Sequence, residues 1–181
     1  MVKLINASSL RRLLLLAVCA TFVPTSSEAT EPLHSDDIES RGGLFYEVGK
    51  DQPVNGVLIV TYDDGSRKLE QPLKDGKQVG TQKQWHEDGV QKAEIKFRDG
   101  KLHGYSTWWY PNGMTRVWLG FQDGKLHGRG MSWYENGRVK SDGEFRRGEA
   151  VRKHRFWDEN GRRLYRRPRN YTEVPRTDLF E

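Results

Sequence analysis

The feature that most constrains this chain is a period of 24 residues: Asp99-Gly100-Lys101-Leu102-His103-Gly104 returns letter for letter as Asp123-Gly124-Lys125-Leu126-His127-Gly128. Other columns keep the same step, among them Trp85, Trp109, Trp133 and Trp157, Gly65, Gly89, Gly113, Gly137 and Gly161, and Phe97, Phe121 and Phe145. A fixed period of this length means a stack of one supersecondary unit, each copy burying the side of the next. Short alternating runs separate Asp-Gly and Asn-Gly pairs, which tolerate the positive φ that tight hairpin turns demand. Each unit therefore reads as one β-hairpin. The expected fold is all-β, a single-layer twisted antiparallel sheet of tandem β-hairpin repeats. With 30% charged and 35% hydrophobic residues, the chain suits a thin sheet better than a thick two-layer core.

Side chains alternate faces along a strand, so an even period keeps every column on one face throughout. The odd positions carry most of the apolar residues: Ala93, Ile95 and Phe97, then Val117, Leu119 and Phe121, and the Trp column. A three-residue loop at Pro111-Asn112-Gly113 preserves parity. In that register Trp109 joins Val117, Leu119 and Phe121 on the core side, and Trp108 faces Arg116 on the other.

Outside the array the chain reads differently. Residues 1–29 read as a secretory signal, with Lys3, Arg11 and Arg12 before the apolar run Leu13 to Val23 and the small-x-small site Ser27-Glu28-Ala29. Export to the periplasm or beyond, with cleavage after Ala29, is the expected address. That segment holds the only cysteine, Cys19, and carries +2 of the formal +5 charge, leaving a mature +3 that says little about partners. Residues 30–42 are polar without periodicity and read as a linker, residues 43–167 as the repeat array, and residues 168–181 as a tail. The half-unit Leu44-Phe45-Tyr46 and the variant turn Gly148-Glu149-Ala150 are degraded copies of the kind expected where a stack is capped.

The motifs Trp109-Tyr110-Pro111-Asn112-Gly113 and Gly124-Lys125-Leu126-His127-Gly128, with Gly143-Glu144-Phe145, resemble those of the MORN-repeat variant family of bacteria. The resemblance covers roughly Leu44 to Tyr165. It implies a single-layer sheet of hairpins and roles in protein scaffolding or in binding acidic phospholipids. Many members are labelled antitoxin-like, a role at odds with an export signal.

No catalytic group and no cofactor-binding or metal-binding set is expected. His103 and His127 sit two strands apart, about 9.5 Å, too far to share a zinc held at about 2 Å. No phosphate loop joins a strand to a helix, and no nucleophile stands out from the repeat background. The candidate binding residues are instead departures from the repeat. On the even positions the central unit carries Trp108, Arg116 and Trp118, flanked by Tyr110 and Met114, where its neighbours carry mostly Gln, Lys, Glu and Ser. Such a cluster is either an interaction hot spot or a second small core under the linker or tail. A basic cluster that includes Arg162, Arg163, Arg166 and Arg167 is the second candidate, suited to an anionic membrane surface or envelope polymer. The expected function is an exported, non-catalytic scaffold with a protein partner. A peripheral binder of anionic lipid or polymer and an antitoxin-like protein are the alternatives; no nucleic-acid partner is expected.

Overall fold

The computed structural model describes residues 32–151 and 154–166. The expected signal segment, Arg167 and the tail lie outside the described residues. Four full hairpins build the sheet: β4 (Gly56–Thr61) with β5 (Arg67–Lys74), β7 (Gly80–Trp85) with β8 (Gln91–Arg98), β10 (Gly104–Trp109) with β11 (Thr115–Gln122), and β12 (Lys125–Trp133) with β13 (Val139–Arg146). A shorter hairpin, β15 (Arg155–Trp157) with β16 (Arg163–Leu164), closes the C-terminal end. The result is an all-β antiparallel sheet of sequential hairpins, running β4-β5-β7-β8-β10-β11-β12-β13-β15-β16 in space as in sequence.

Within the stretch expected to be a linker, residues 33–41 form regular structure. β1 (Leu33–His34) pairs in parallel with β4, and β2 (Ile38–Arg41) forms a separate ribbon with β3 (Leu44–Glu47). Leu33, Ile38 and Phe45 pack against Val54, Leu58 and Leu73. This ribbon supplies the apolar surface that a missing upstream repeat would have supplied, so Leu44 to Tyr46 belong to a cap rather than to half of a repeat.

Two kinds of turn alternate. Asp75, Asp99 and Asp123 have φ near 50°, each followed by a glycine at φ 70° to 83°, the pair of left-handed residues that a two-residue hairpin loop needs. The chain then makes a two-residue strand step: β6 (Lys77–Gln78), β9 (Lys101–Leu102), the start of β12, and β14 (Glu149–Ala150). These turns stack by backbone bonds, Gly100 N–H donating to Gln78 O at 2.9 Å, Gly124 to Leu102 O at 2.9 Å and Gly148 to Leu126 O at 2.8 Å. The opposite edge carries the loops at Asp64-Gly65, Asp88-Gly89, Asn112-Gly113 and Asn136-Gly137. There Tyr62, Tyr110 and Tyr134 donate their hydroxyls to the carbonyls of Trp85, Trp133 and Trp157, and the Asn112 and Asn136 amides donate to the carbonyls of Glu135 and Glu159. The Tyr and Asn columns exist because each unit hydrogen-bonds the next along this edge.

The loop at Pro111-Asn112-Gly113 has the three residues expected, since Tyr110 and Met114 bond across it at 2.9 Å and Trp109 pairs with Thr115. One step on, the register differs from expectation: Trp108 pairs with Val117, leaving Arg116 as the extra residue of a β-bulge. The same shift recurs between Val60 and Thr61, Gln84 and Trp85, and Ser132 and Trp133, so the bulge column reads Lys68, Lys92, Arg116, Lys140. Three of these cations lie 5.2 to 5.7 Å from the centroid of the loop tyrosine of their own hairpin. One unpaired residue reverses the parity of everything beyond it.

The closed face accordingly takes even positions from each hairpin's first strand and odd ones from its second. Its core is Ala93, Ile95, Trp108, Val117, Leu119, Phe121 and Phe145. Large side chains there lie over small ones: a Cβ on Gly130 would stand 2.7 Å from Leu119 and 2.9 Å from Phe145. Two polar pairs on this face bond locally, Ser132 with Ser141 at 2.6 Å and Gln84 with Gln82 at 3.0 Å, while Gln71 Oε1 is buried without a partner. The Trp column, expected in the core, is half-buried on the other face.

Candidate functional site

The open face has a regular cross-strand order that the central hairpin interrupts. Following the register from strand to strand, one row reads Ile59, Glu70, Lys83, Glu94, Thr107, Trp118, Met131, Asp142, Arg155. Opposite charges alternate on both sides of an uncharged centre, the arrangement in which cross-strand neighbours attract. At that centre Trp118 stacks on Tyr105, ring centroids 4.1 Å apart and planes 2° from parallel. Tyr105 is 43% exposed, so the pair reaches solvent.

Two glycines make this stack possible. A Cβ on Gly120 would lie 3.0 Å from Tyr105 Cε1 and 2.2 Å from the His127 carbonyl oxygen, and one on Gly128 would lie 3.2 Å from the Tyr105 hydroxyl. The Tyr105 ring thus rests in a trough that a side chain at Gly120 would fill. Neighbouring units have Pro72, Lys96 and Glu144 in the Gly120 column, and Val57, Thr81 and Arg129 in the Tyr105 column. The three departures Tyr105, Trp118 and Gly120 therefore form one constellation.

Beside the stack lies a charged cluster. Asp142 is buried, with its carboxylate 3.0 Å from Arg129 Nε and hydrogen-bonded to the Arg155 guanidinium. Burial alone would raise its pKa, but the hydrogen bonds and charges of the two arginines outweigh it and hold the carboxyl below its ordinary value. Asp142 remains an anion, which fixes both guanidinium groups on the open face next to Met131.

The sequence-predicted residues divide accordingly. Trp108 is 5% exposed in the core beside Ala93 and Val117, and it does not face Arg116, because the bulge turned it over. Tyr110 is a strut between units: its hydroxyl donates to the Trp133 carbonyl at 2.9 Å. Burial raises the pKa of that hydroxyl, with Arg116 opposing and Glu135 and Glu159 adding to the rise. Arg116 is exposed on the bulge, 5.7 Å from the Tyr110 ring centroid. Trp118 alone of the four sits in the aromatic stack.

Arg162, Arg163 and Arg166 are exposed in the last hairpin and its exit. Arg162 is tied through its backbone N–H to Asp158 at 2.8 Å, and the Arg163 guanidinium lies 5.8 Å from the Tyr165 ring centroid. The structure brings none of them to the Trp118 site. Sequence reasoning missed Tyr105, Gly120, Met131 and the Arg129–Asp142–Arg155 cluster. A column-by-column comparison would have found Tyr105 and Gly120, had the parity on both sides of the bulge been known.

Among the described residues, no three His, Cys, Asp or Glu side chains stand where they could hold a metal ion. No protein-family model and no curated protein matches this chain.

Proposed function

We propose that the protein is a non-catalytic repeat scaffold of the MORN-variant type, exported by its N-terminal signal, that binds a protein partner through the open face of its central hairpin. The observation that carries this reading is the interruption of the alternating charge row by Thr107, Trp118 and Met131, with Tyr105 stacked and exposed above Gly120. Isolated exposed aromatics are common on protein surfaces, but coordinated replacement at three columns of one unit, with a glycine trough beneath, is not what solubility or sheet pairing requires. Aromatic and arginine side chains concentrate at the energetic centres of protein interfaces. Here Arg129 and Arg155, anchored by Asp142, lie to one side of the rings and favour a partner that carries carboxylates beside an apolar anchor.

The test compares two sets of variants in co-purification from the native cell envelope. Tyr105→Ala with Trp118→Ala is expected to lose the partner while keeping the β-sheet circular dichroism of the parent. Arg162→Ala with Arg163→Ala is expected to keep it. The opposite pattern transfers binding to the C-terminal arginines and overturns the reading. N-terminal sequencing of the native protein checks the export step; retention of residues 1–29 would argue against it and favour a cytoplasmic, antitoxin-like role.

A further inference from the structure

The edge formed by the Asp-Gly turns contains a reversal of charge. Three turns read Asp75-Gly76-Lys77, Asp99-Gly100-Lys101 and Asp123-Gly124-Lys125, whereas the fourth reads Arg147-Gly148-Glu149. Its backbone is nevertheless that of the others, with Arg147 at φ 54° and Gly148 at φ 93°. Aspartate tolerates this left-handed conformation because its short side chain bonds locally, and arginine has no such compensation. The substitution is therefore unfavourable for the turn itself and calls for a different reason.

That reason lies in what the turn faces. Asp123 is set against the preceding unit, 3.3 Å from Arg98 and 3.6 Å from His103 Nδ1. One repeat further on, the equivalent of His103 is His127 and the equivalent of Asp123 is Arg147. A cleft opens there, lined by Gln122, Asp123, Lys125, His127, Arg146 and Arg147. His127 Nδ1, like His103 Nδ1, is buried without a hydrogen-bond partner, but only His103 has a carboxylate 3.6 Å away. Among the described residues no ion pair involves Lys125, Arg146 or Arg147, while the one carboxylate in the wall already serves Arg98. Where the earlier turn sets an acid beside its imidazole, this one gathers three cations around His127.

We infer that this cleft is a site for a tetrahedral oxyanion of two negative charges, inorganic phosphate or a terminal phosphomonoester, which takes the place of the missing aspartate. Lys125 supplies a compact ammonium, and Arg146 and Arg147 supply planar forks of donors that suit phosphate oxygens. A phosphate offers three or four acceptor oxygens and up to two negative charges, more than a single carboxylate supplies, to donors on both turns. The site is separate from the aromatic face of the central hairpin and does not depend on it.

The experiment is thermal unfolding of the full chain in inorganic phosphate against chloride at matched ionic strength, because an anion that binds only the folded state raises Tm as its concentration passes Kd. Phosphate is expected to raise Tm. The decisive variant is Arg147→Asp with Glu149→Lys, which rewrites the turn as the Asp-Gly-Lys of its three neighbours and so keeps the fold. Its apparent affinity for phosphate is expected to fall at least tenfold, while Arg162→Ala with Arg163→Ala, outside the cleft, leaves the response intact. Glycerol phosphate distinguishes the source: an equal response means a phosphomonoester group fits the cleft, and a response to the inorganic ion alone means the free ion is the ligand. A wild-type Tm no higher in phosphate than in chloride, an undiminished response in the rewritten turn, or loss of the response in the Arg162/Arg163 variant would each overturn the site.

Discussion

Trp108 and Trp118 stand in one hairpin, on neighbouring strands of one sheet, and serve opposite faces. Trp108 is 5% exposed among Ala93, Val117 and their neighbours, whereas Trp118 is half-buried under Tyr105 on the open side. What separates them is a single unpaired residue, Arg116, between the Trp109–Thr115 and Trp108–Val117 pairs. In a repeat sheet a bulge does more than bend a strand: it decides which residue columns become core and which become surface.

The comparison is tested most strongly at Trp108. Trp108→Ala should cost about 3–5 kcal/mol, the usual effect of emptying a buried aromatic site. Trp118→Ala should cost about 1 kcal/mol, mainly the lost ring pair. Urea unfolding of the two variants measures the difference, and equal losses would refute the assignment of faces.

Next in size is Gly120→Ala, expected to cost about 3 kcal/mol, since the new Cβ would stand 2.2 Å from the His127 carbonyl oxygen. Gly113→Ala meets nothing within 4 Å and carries only the penalty of its positive φ, about 1 kcal/mol. The contrast between a crowded glycine and a merely left-handed one is again read by denaturant unfolding.

Acid sharpens the comparison on the open face. Because the folded-state pKa of Asp142 is held below its unfolded value, its stabilising contribution is fully present above the unfolded pKa and lost as pH falls through the folded one. Asp142→Asn should therefore destabilise the protein by about 1–2 kcal/mol at neutral pH, discounted for the half-exposed arginines, and flatten its stability profile below about pH 4. Chemical unfolding across acidic pH checks both signs; an unchanged acid limb would mean that the Arg129–Asp142–Arg155 cluster contributes no linkage.

The smallest effect is expected along the loop edge. Tyr110→Phe removes one inter-unit hydrogen bond to Trp133 O and should cost about 1 kcal/mol. The chain carries its own comparison, because His86 occupies the tyrosine position in the second hairpin. Hydrogen exchange should show the Trp133 strand loosened in the variant while the Asp-Gly edge stays protected.

Much of the architecture was legible in the sequence because turns are local. Asp-Gly and Asn-Gly pairs specify loop type through backbone conformation, and the 24-residue step between them sets strand length and order. The candidate site was only half legible. Trp118 stood out as a departure from its column, but Trp108 was grouped with it because parity was carried unbroken through the loop. Nothing local to Arg116 announces a bulge; the signal was the recurrence of Lys68, Lys92, Arg116 and Lys140 in one column, whose meaning needs the pairing register. Residues 33–41 were illegible for a related reason: a cap's apolar residues follow the surface they cover and have no period of their own.

The sequence by itself determined that this is an all-β array of hairpins with a period of 24, because positive-φ turns and alternating runs are encoded within a few neighbouring residues. Only the tertiary structure decided which face is closed, that Tyr105 lies over Gly120 beside Trp118, and that Arg147 and His127 line one cleft where the preceding repeat sets Asp123 beside His103. Those are relations between strands. They depend on register, and one extra residue in a ladder that alternates with period two is enough to invert them.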